Sequence, residues 1–299
     1  MVIGVVKFYV ILGAFLAVLV SLLLVAIAPA TGHFNPENYG WNGLSNFVEE
    51  YKAEVVYSAD KLKAALKPGE TVLVIVGPEK LPSADEISVI SGFLEDSGLV
   101  LLMDDFGTGS DILNELGVLT SISNYLVIDP LFKERNSKLP KAVNVVKSWV
   151  TSNVTTLCLN YASSLEPYGA KVLVSTSEYS YLDINGNEKP DPDEPRGPFP
   201  VVAMIKKGNG MIIVVSDSSI AINSMIYRCD NKAFITNIVK GKRVIVYGGL
   251  WEENLGDKVR LIVRRIPLFL KPIEIRFIVA CSVAVIIYKT YITFKRMVR

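Results

Sequence analysis

The longest apolar run, Phe8 to Ala30, carries no charge over 23 residues, whereas the chain between residues 44 and 247 breaks into short runs punctuated by glycine, proline and polar clusters. As a helix, the first run extends about 35 Å at 1.5 Å per residue, enough to cross roughly 30 Å of hydrocarbon. Two readings fit it: a transmembrane anchor, or a secretory signal peptide ending at the small residues of Ala28-Pro29-Ala30. The run is longer than the roughly 7–15 residues of a signal core, and proline sits awkwardly between the alanines, so an anchor is expected. A second run, Phe277 to Phe294, is broken only by Lys289 and carries Tyr288 and Tyr291. A lysine stem can snorkel and tyrosines suit an interface, so this run predicts a second span, against the alternative of an amphipathic helix.

Between the two runs the period alternates between strand and helix. Leu44, Phe47, Val48 and Tyr51 have helical spacing, and Glu54 to Tyr57 predicts a short strand. Ser58 or Asp60 can open the next helix. Thr71 to Val76 is a continuous apolar run of the kind that a strand buried on both faces requires. Ser83 and Glu86 form a capping box ahead of Ile87, Ile90, Phe93 and Leu94, and Leu99 to Met103 is the next strand. The pattern is less regular from Val118 to Tyr168, with apolar runs at Tyr125 to Ile128, Val143 to Val150 and Val154 to Leu159. After the strand Ala170 to Ser175, Phe199–Lys206 and Met211–Ser216 flank a turn at Lys207-Gly208-Asn209-Gly210 and predict a hairpin. Asp230-Asn231 can open a helix, Arg243 to Tyr247 makes a last strand, and a helix over roughly 252–265 leads to the second run. The fold class is α/β, with an open, doubly wound, mostly parallel sheet. The expected domains are an anchor over 1–30, an α/β domain over 31–271, and a C-terminal span with a basic tail over 272–299.

Charge changes the picture in one respect. Lys and Arg number 31 and Asp and Glu 30, a balance that gives no nucleic-acid signature. All the acids fall between Glu37 and Glu274, while Lys7 precedes that stretch and Lys289, Lys295, Arg296 and Arg299 follow it. By the positive-inside rule both termini are cytoplasmic and the middle domain faces out, although Arg264, Arg265, Lys271 and Arg276 oppose this at the second span. Cys281 lies in that span, leaving Cys158 and Cys229 as a pair that an oxidising compartment would allow to bond; two buried thiols are the alternative. Asn153-Val154-Thr155 is a glycosylation sequon, meaningful only outside the cell.

Two stretches carry candidate chemistry. Parallel sheets bind ligands at the carboxyl ends of their strands, which here deliver Gly77-Pro78 and the run Asp104-Asp105-Phe106-Gly107-Thr108-Gly109. Gly77, Asp104, Asp105 and Gly107 are thus a candidate ligand loop, with helix capping and tight turns as the plain alternative. The second stretch is Asp183 to Glu194, with oxygen side chains at Asp183, Asn185, Asn187, Asp191 and Glu194 and the backbone carbonyl of Lys189 at the seventh place. Hard cations take six to eight oxygens, so the spacing matches a Ca²⁺ loop of the EF-hand type. It departs from that type in having glycine fourth rather than sixth and prolines at Pro190 and Pro192, and a proline-stiffened acidic surface loop is the alternative. Asp183 and Glu194 are expected on the surface.

The only histidine is His33, beside the first run, and Cys158 lacks the glycine-flanked turn that exposes a nucleophile. The strand before Gly77-Pro78, Leu99 to Gly107, Asp183 to Pro198, Gly210 to Ser219 and Asp230-Asn231 together resemble archaeal membrane proteins carrying the domain of unknown function 4350. The resemblance implies a class I glutamine amidotransferase-like fold, and as partners a MoxR-type ATPase and a von Willebrand-like membrane protein. It brings no catalytic residue, since the amidotransferase nucleophile and histidine have no counterparts here. The functional expectation is a membrane-anchored, non-catalytic binding or scaffold protein in contact with the lipid bilayer. A membrane-tethered, metal-dependent hydrolase or transferase using Asp104 and Asp105 is the alternative.

Overall fold

The computed structural model describes residues 2–252, 254–269, 288, 292 and 295. Residues 32–252 form one compact unit, and the N-terminal helix groups with the helix beyond residue 253 in another. The described helices are α1 (Val2–Ile27), α2 (Ser45–Tyr51), α3 (Ala59–Ala65), α4 (Ala84–Glu95), α5 (Gly109–Glu115), α6 (Asn231–Val239) and α7 (Leu255–Phe269).

The central sheet contains β1 (Glu54–Val56), β2 (Thr71–Val76), β3 (Leu99–Met103), β4 (Asn144–Val145), β5 (Lys171–Ser175), β6 (Pro200–Lys207), β7 (Gly210–Val215) and β8 (Arg243–Tyr247). Its order is β1-β8-β2-β3-β7-β6-β5-β4. Every pairing from β1 through to β7 is parallel. Those joining β7, β6, β5 and β4 are antiparallel. The fold is therefore mixed α/β around a large, mostly parallel sheet.

The continuous apolar runs are explained by burial on both faces, since alternate side chains of a strand point to opposite sides. Val72, Val74 and Val76 of β2 enter one core with Phe47 of α2 and Phe234 and Ile235 of α6. Leu73 and Ile75 enter the other with Leu62 of α3, Phe93 of α4 and Leu113 of α5. The capping box is formed: Glu86 N donates to Ser83 Oγ at 3.4 Å, and Ser83 N to Glu86 Oε2 at 2.6 Å. Gly208 opens the β6–β7 turn at φ +55°, a conformation open to glycine at little cost.

The irregular middle of the chain forms strand pairs of two or three residues: Ser121–Ile122 with Leu165–Glu166, Leu126–Ile128 with Tyr181–Asp183, and Lys141–Ala142 with Leu157–Cys158. Pairs this short gain little from ladder bonds, and buried side chains hold them. Asn231 Oδ1 accepts from Cys158 N at 3.0 Å, while its Nδ2 donates to the carbonyls of Cys158 at 2.9 Å and Met225 at 3.0 Å. Asp230 precedes α6 as expected but does not cap it with its side chain. Its Oδ2 instead accepts from Thr155 N at 2.8 Å and Thr156 N at 3.1 Å, tying α6 to the segment around Cys158.

Within the other unit, α1 is the one helix among the described residues that is long and apolar enough to cross a membrane, over Tyr9–Ile27. Tyr9, Ile11, Phe15, Leu16 and Leu23 are all exposed. Helix α7 was expected to end the α/β domain, but it groups with α1: Arg264 Nε donates to the Ala26 carbonyl at 2.8 Å, and Asp257 Oδ1 accepts from Thr31 N at 3.1 Å. A cation beside the last carbonyls of a helix satisfies groups that have no intrahelical partner. The expected second span, Phe277 to Phe294, lies outside the described residues apart from Tyr288 and Ile292, which are helical.

Candidate functional site

The carboxyl ends of β2, β3 and β7 lie side by side and bring Gly77, Asp104, Asp105, Asp217 and Ser218 to one edge. Gly77 N donates to the Met103 carbonyl at 2.8 Å and Asp104 N to the Val215 carbonyl at 3.0 Å, so the ladder continues into this edge. The predicted ligand loop is assembled, but its groups are committed to one another. Asp104 is buried, and its Oδ1 accepts from Gly107 N at 3.1 Å and its Oδ2 from Gly109 N at 2.7 Å. Asp105 is half-buried; its Oδ1 accepts from Phe106 N at 2.9 Å and its Oδ2 from Ser218 Oγ at 2.9 Å. Asp217 is fully buried, accepting from Asn160 N at 2.8 Å and Ser219 N at 2.7 Å.

Burial pushes the Asp104 carboxyl up to about 7 and the charge of Asp105 adds to it, against the opposing bonds from Gly109 and Gly107. Asp105 is raised by burial. Asp217 is raised well above the usual carboxylate range, by burial and then by the charge of Asp105. The charge of Asp105 thus disfavours the ionisation of both Asp104 and Asp217.

The glycines serve close packing. A Cβ on Gly107 would stand 2.2 Å from the Pro78 carbonyl oxygen, and one on Gly109 2.6 Å from Asp104 Oδ2. Gly77 has φ +49°, and a Cβ there would stand 2.2 Å from Phe34 Cε2. The Phe34 ring therefore lies directly against the end of β2. Trp251, which is buried, donates from Nε1 to the Val76 carbonyl at 2.7 Å. The chain's own aromatic side chains thus occupy the carboxyl end of β2, one of the strand ends where parallel sheets commonly take a ligand.

Sequence reasoning missed Asp217 and Phe34. Asp217 follows a strand that reads as half of a hairpin, and nothing local shows that this strand also pairs in parallel with β3. Phe34 approaches Gly77 from a polar stretch far away in the chain.

The second candidate site is a closed excursion between Tyr181 and Arg196. Leu182 N donates to the Pro195 carbonyl at 3.2 Å, and Tyr181 and Arg196 form an antiparallel bridge. Asp183 and Glu194, expected on the surface, are both buried, at 6% exposure each. The cause is this narrow neck, which folds the first and last positions of the loop inward. Asp183 Oδ2 accepts from Glu188 N at 3.2 Å, and Glu194 accepts from Ile184 N at 3.0 Å and Asp191 N at 3.1 Å. Asn185 Nδ2 and Asn187 Nδ2 both donate to Asp191 Oδ2 at 2.7 Å. These amide bonds hold the Asp191 carboxyl below its usual range. The oxygens of Asp183, Asp191 and Glu194 do not all lie within 4.8 Å of one another. Lys189, at the seventh place, donates from its backbone N to Asn187 Oδ1 at 2.7 Å.

Among the described residues, one group of three acidic or sulfur ligand atoms lies within 4.8 Å: Glu134, Cys158 and Cys229. Its two sulfurs are bonded to each other, with the Cα atoms 5.5 Å apart. Glu134 is instead paired with Arg228 at 3.3 Å and Lys141 at 3.4 Å.

Residues 33–239, more than half of the chain, match the family model described as domain of unknown function (DUF4350). No curated protein matches the chain. Among solved structures, the mmIFT52 N-terminal domain is 16% identical, with a TM-score of 0.45 over 60% of this chain and 77% of that one. A ThuA-like protein from Bacteroides uniformis ATCC 8492 is 14% identical, with a TM-score of 0.36 over 70% of this chain and 78% of that one. A beta-galactosidase from Bacillus circulans is 12% identical, with a TM-score of 0.35 over 58% of this chain and only 23% of that one. At such scores none of these proteins lends its properties to the chain.

Proposed function

The chain belongs to the DUF4350 family, whose description names no activity, and we propose that it is a membrane-anchored, non-catalytic binding or scaffold protein with an amidotransferase-like domain outside the cell membrane. The observation that carries this reading is the closed sheet edge. Phe34 lies against Gly77, and both oxygens of Asp104 and of Asp217 are taken up by backbone N–H groups. Neither carboxyl keeps an oxygen without a donor, so a metal or a substrate proton would have to displace part of the turn that each one holds. The apolar, exposed surface of α1 supports an anchor, because hydrocarbon is the solvent that such a surface suits. The Cys158–Cys229 bond supports an outward-facing domain, since disulfides persist in oxidising compartments. The family resemblance points to a MoxR-type ATPase and a von Willebrand-like membrane protein as partners.

The competing reading requires a divalent metal at Asp104 and Asp105. Titration of the full chain in detergent with Mn²⁺, followed by electron paramagnetic resonance, separates the two. Asp105→Asn is expected to leave the number of bound ions unchanged, because Asp105 already spends its oxygens on Phe106 N and Ser218 Oγ. Loss of one bound ion in that variant would establish the metal-dependent alternative.

A further inference from the structure

We infer that the loop from Asp183 to Glu194 is a Ca²⁺ site. An acidic loop alone would not carry this, but one oxygen does: Asp183 Oδ1 is buried and has no hydrogen-bond partner. The other oxygen of the same carboxyl accepts from Glu188 N at 3.2 Å, so the carboxyl faces the loop rather than the domain behind it. A buried carboxylate oxygen without a donor carries the full cost of desolvation, and a cation removes that cost.

The backbone path of the loop accords with this reading. The sixth place of a twelve-residue Ca²⁺ loop needs a sharp turn and is ordinarily glycine. Here that place is Glu188, which nonetheless adopts φ +60°. The left-handed turn is kept although the residue is one that seldom takes it. It is held by the bond from Glu188 N to Asp183 and by the Tyr181 hydroxyl, which donates to the Glu188 carbonyl at 2.9 Å. Glycine at the fourth place is also left-handed, with Gly186 at φ +72°. At the sixth place the departure noted in the sequence is thus one of residue type, while the left-handed Gly186 at the fourth place is a departure of its own.

The ligands are those of a hard cation. Asp183 Oδ1 is available as it stands. Asn185 Oδ1 and Asn187 Oδ1 accept one backbone bond each, from Asn187 N at 3.0 Å and Lys189 N at 2.7 Å, and an amide oxygen has a second lone pair to give. Asp191 Oδ2 is held by the two asparagine amides, and a cation replaces those donors. Glu194 closes the loop from its twelfth position. Because the oxygens are not fully converged, binding includes a local turn of the Asn185, Asn187 and Asp191 side chains. An all-oxygen site of this size and flexibility suits Ca²⁺, whereas Mg²⁺ demands a tight octahedron and retains its waters.

The test uses the full chain in detergent. Excess CaCl₂ is expected to raise the melting temperature by roughly 5–10 °C over the chelator-treated protein, as saturation a hundredfold above the dissociation constant implies for a domain of this size. MgCl₂ should leave it within about a degree. Asp191→Asn should lose the difference between its own melting curves in calcium and in chelator. Asp183→Asn with Glu194→Gln should lose it too, but both positions are buried and that variant can misfold. Terbium luminescence sensitised by the nearby Tyr181 is therefore read in parallel: emission should appear with Tb³⁺, be displaced by Ca²⁺ and vanish in Asp191→Asn. Equal melting curves in calcium and chelator, an equal shift with magnesium, or terbium emission retained in Asp191→Asn would overturn the site.

Discussion

Opening the Cys158–Cys229 bond is expected to destabilise the 32–252 unit by about 4 kcal/mol and to lower its melting temperature by roughly 10 °C. The two cysteines are 71 residues apart, so the bond removes a large part of the conformational freedom of the unfolded chain. In the chain-entropy account a loop of that length is worth about 4 kcal/mol. The native state also contributes, because Asn231 holds both the N–H and the carbonyl of Cys158 and keeps the first sulfur in place before the bond closes. Denaturant unfolding of the detergent-solubilised chain, oxidised and then reduced, measures the difference, and Cys158→Ala with Cys229→Ala serves as the reductant-free control. Identical midpoints for the oxidised and reduced forms would show that the bond does not constrain the unfolded chain.

Stability is expected to fall as pH rises from about 4 to 7, the reverse of the usual acid denaturation. Asp104 has its pKa raised from 3.8 in the unfolded chain to about 7 in the folded one, so the folded state binds the proton more tightly. Its contribution is fully present below the unfolded value and is lost as pH rises through the folded one. Across that window Asp104 alone is worth about 4 kcal/mol, a slope near −1.4 kcal/mol per pH unit between the two values. Asp105 and Asp217 are shifted in the same direction and steepen it. Asp191, Asp230 and Glu86 are shifted downward, and their contributions disappear only at the acid end, below about pH 4.5. Asp104→Asn offers one oxygen to the two N–H groups of Gly107 and Gly109, so it is less stable than the parent at pH 4.5. Its slope between pH 5 and 6.5 should nonetheless be shallower by about one proton's worth. Guanidinium unfolding at several pH values supplies both slopes, and a parent slope that is flat or positive over that range would contradict the buried-carboxyl arrangement.

Much of the fold was legible because several elements advertise themselves locally. Thr71–Val76 and Leu99–Met103 are apolar at every position because both faces of the sheet are covered, and Ser83 with Glu86 marks the start of α4 within four residues. The antiparallel half was less legible. β4 is two residues long, and its partner β5 is separated from it by a segment whose own strands are equally short. The neighbouring strand Leu157–Cys158 is held by the side-chain contacts of Asn231 and Asp230, which have no period to read. The two candidate sites divide in the same way. The placing of Asp104 and Asp105 at a strand end followed from the apolar run before them. Asp104 is held locally by Gly107 and Gly109, whereas the bond from Ser218 to Asp105 and the Phe34 ring against Gly77 depend on contacts distant in the chain. At Asp183–Glu194 the alternation of oxygen side chains was visible, whereas the inward turn of Asp183 and Glu194 follows from the neck at Leu182 and Pro195.

The most direct measurement of an anchored, outward-facing domain is labelling of intact cells with a membrane-impermeant maleimide. Cys281→Ser removes the one cysteine outside the disulfide pair, leaving Cys158 and Cys229 bonded and unreactive. In that background Asn209→Cys, at the exposed β6–β7 turn, reports the domain, and Lys295→Cys reports the C-terminal segment. The expected result is labelling of Asn209→Cys in intact cells and of Lys295→Cys only after lysis. Labelling of Lys295→Cys but not of Asn209→Cys in intact cells would place the domain in the cytoplasm and contradict the proposed function.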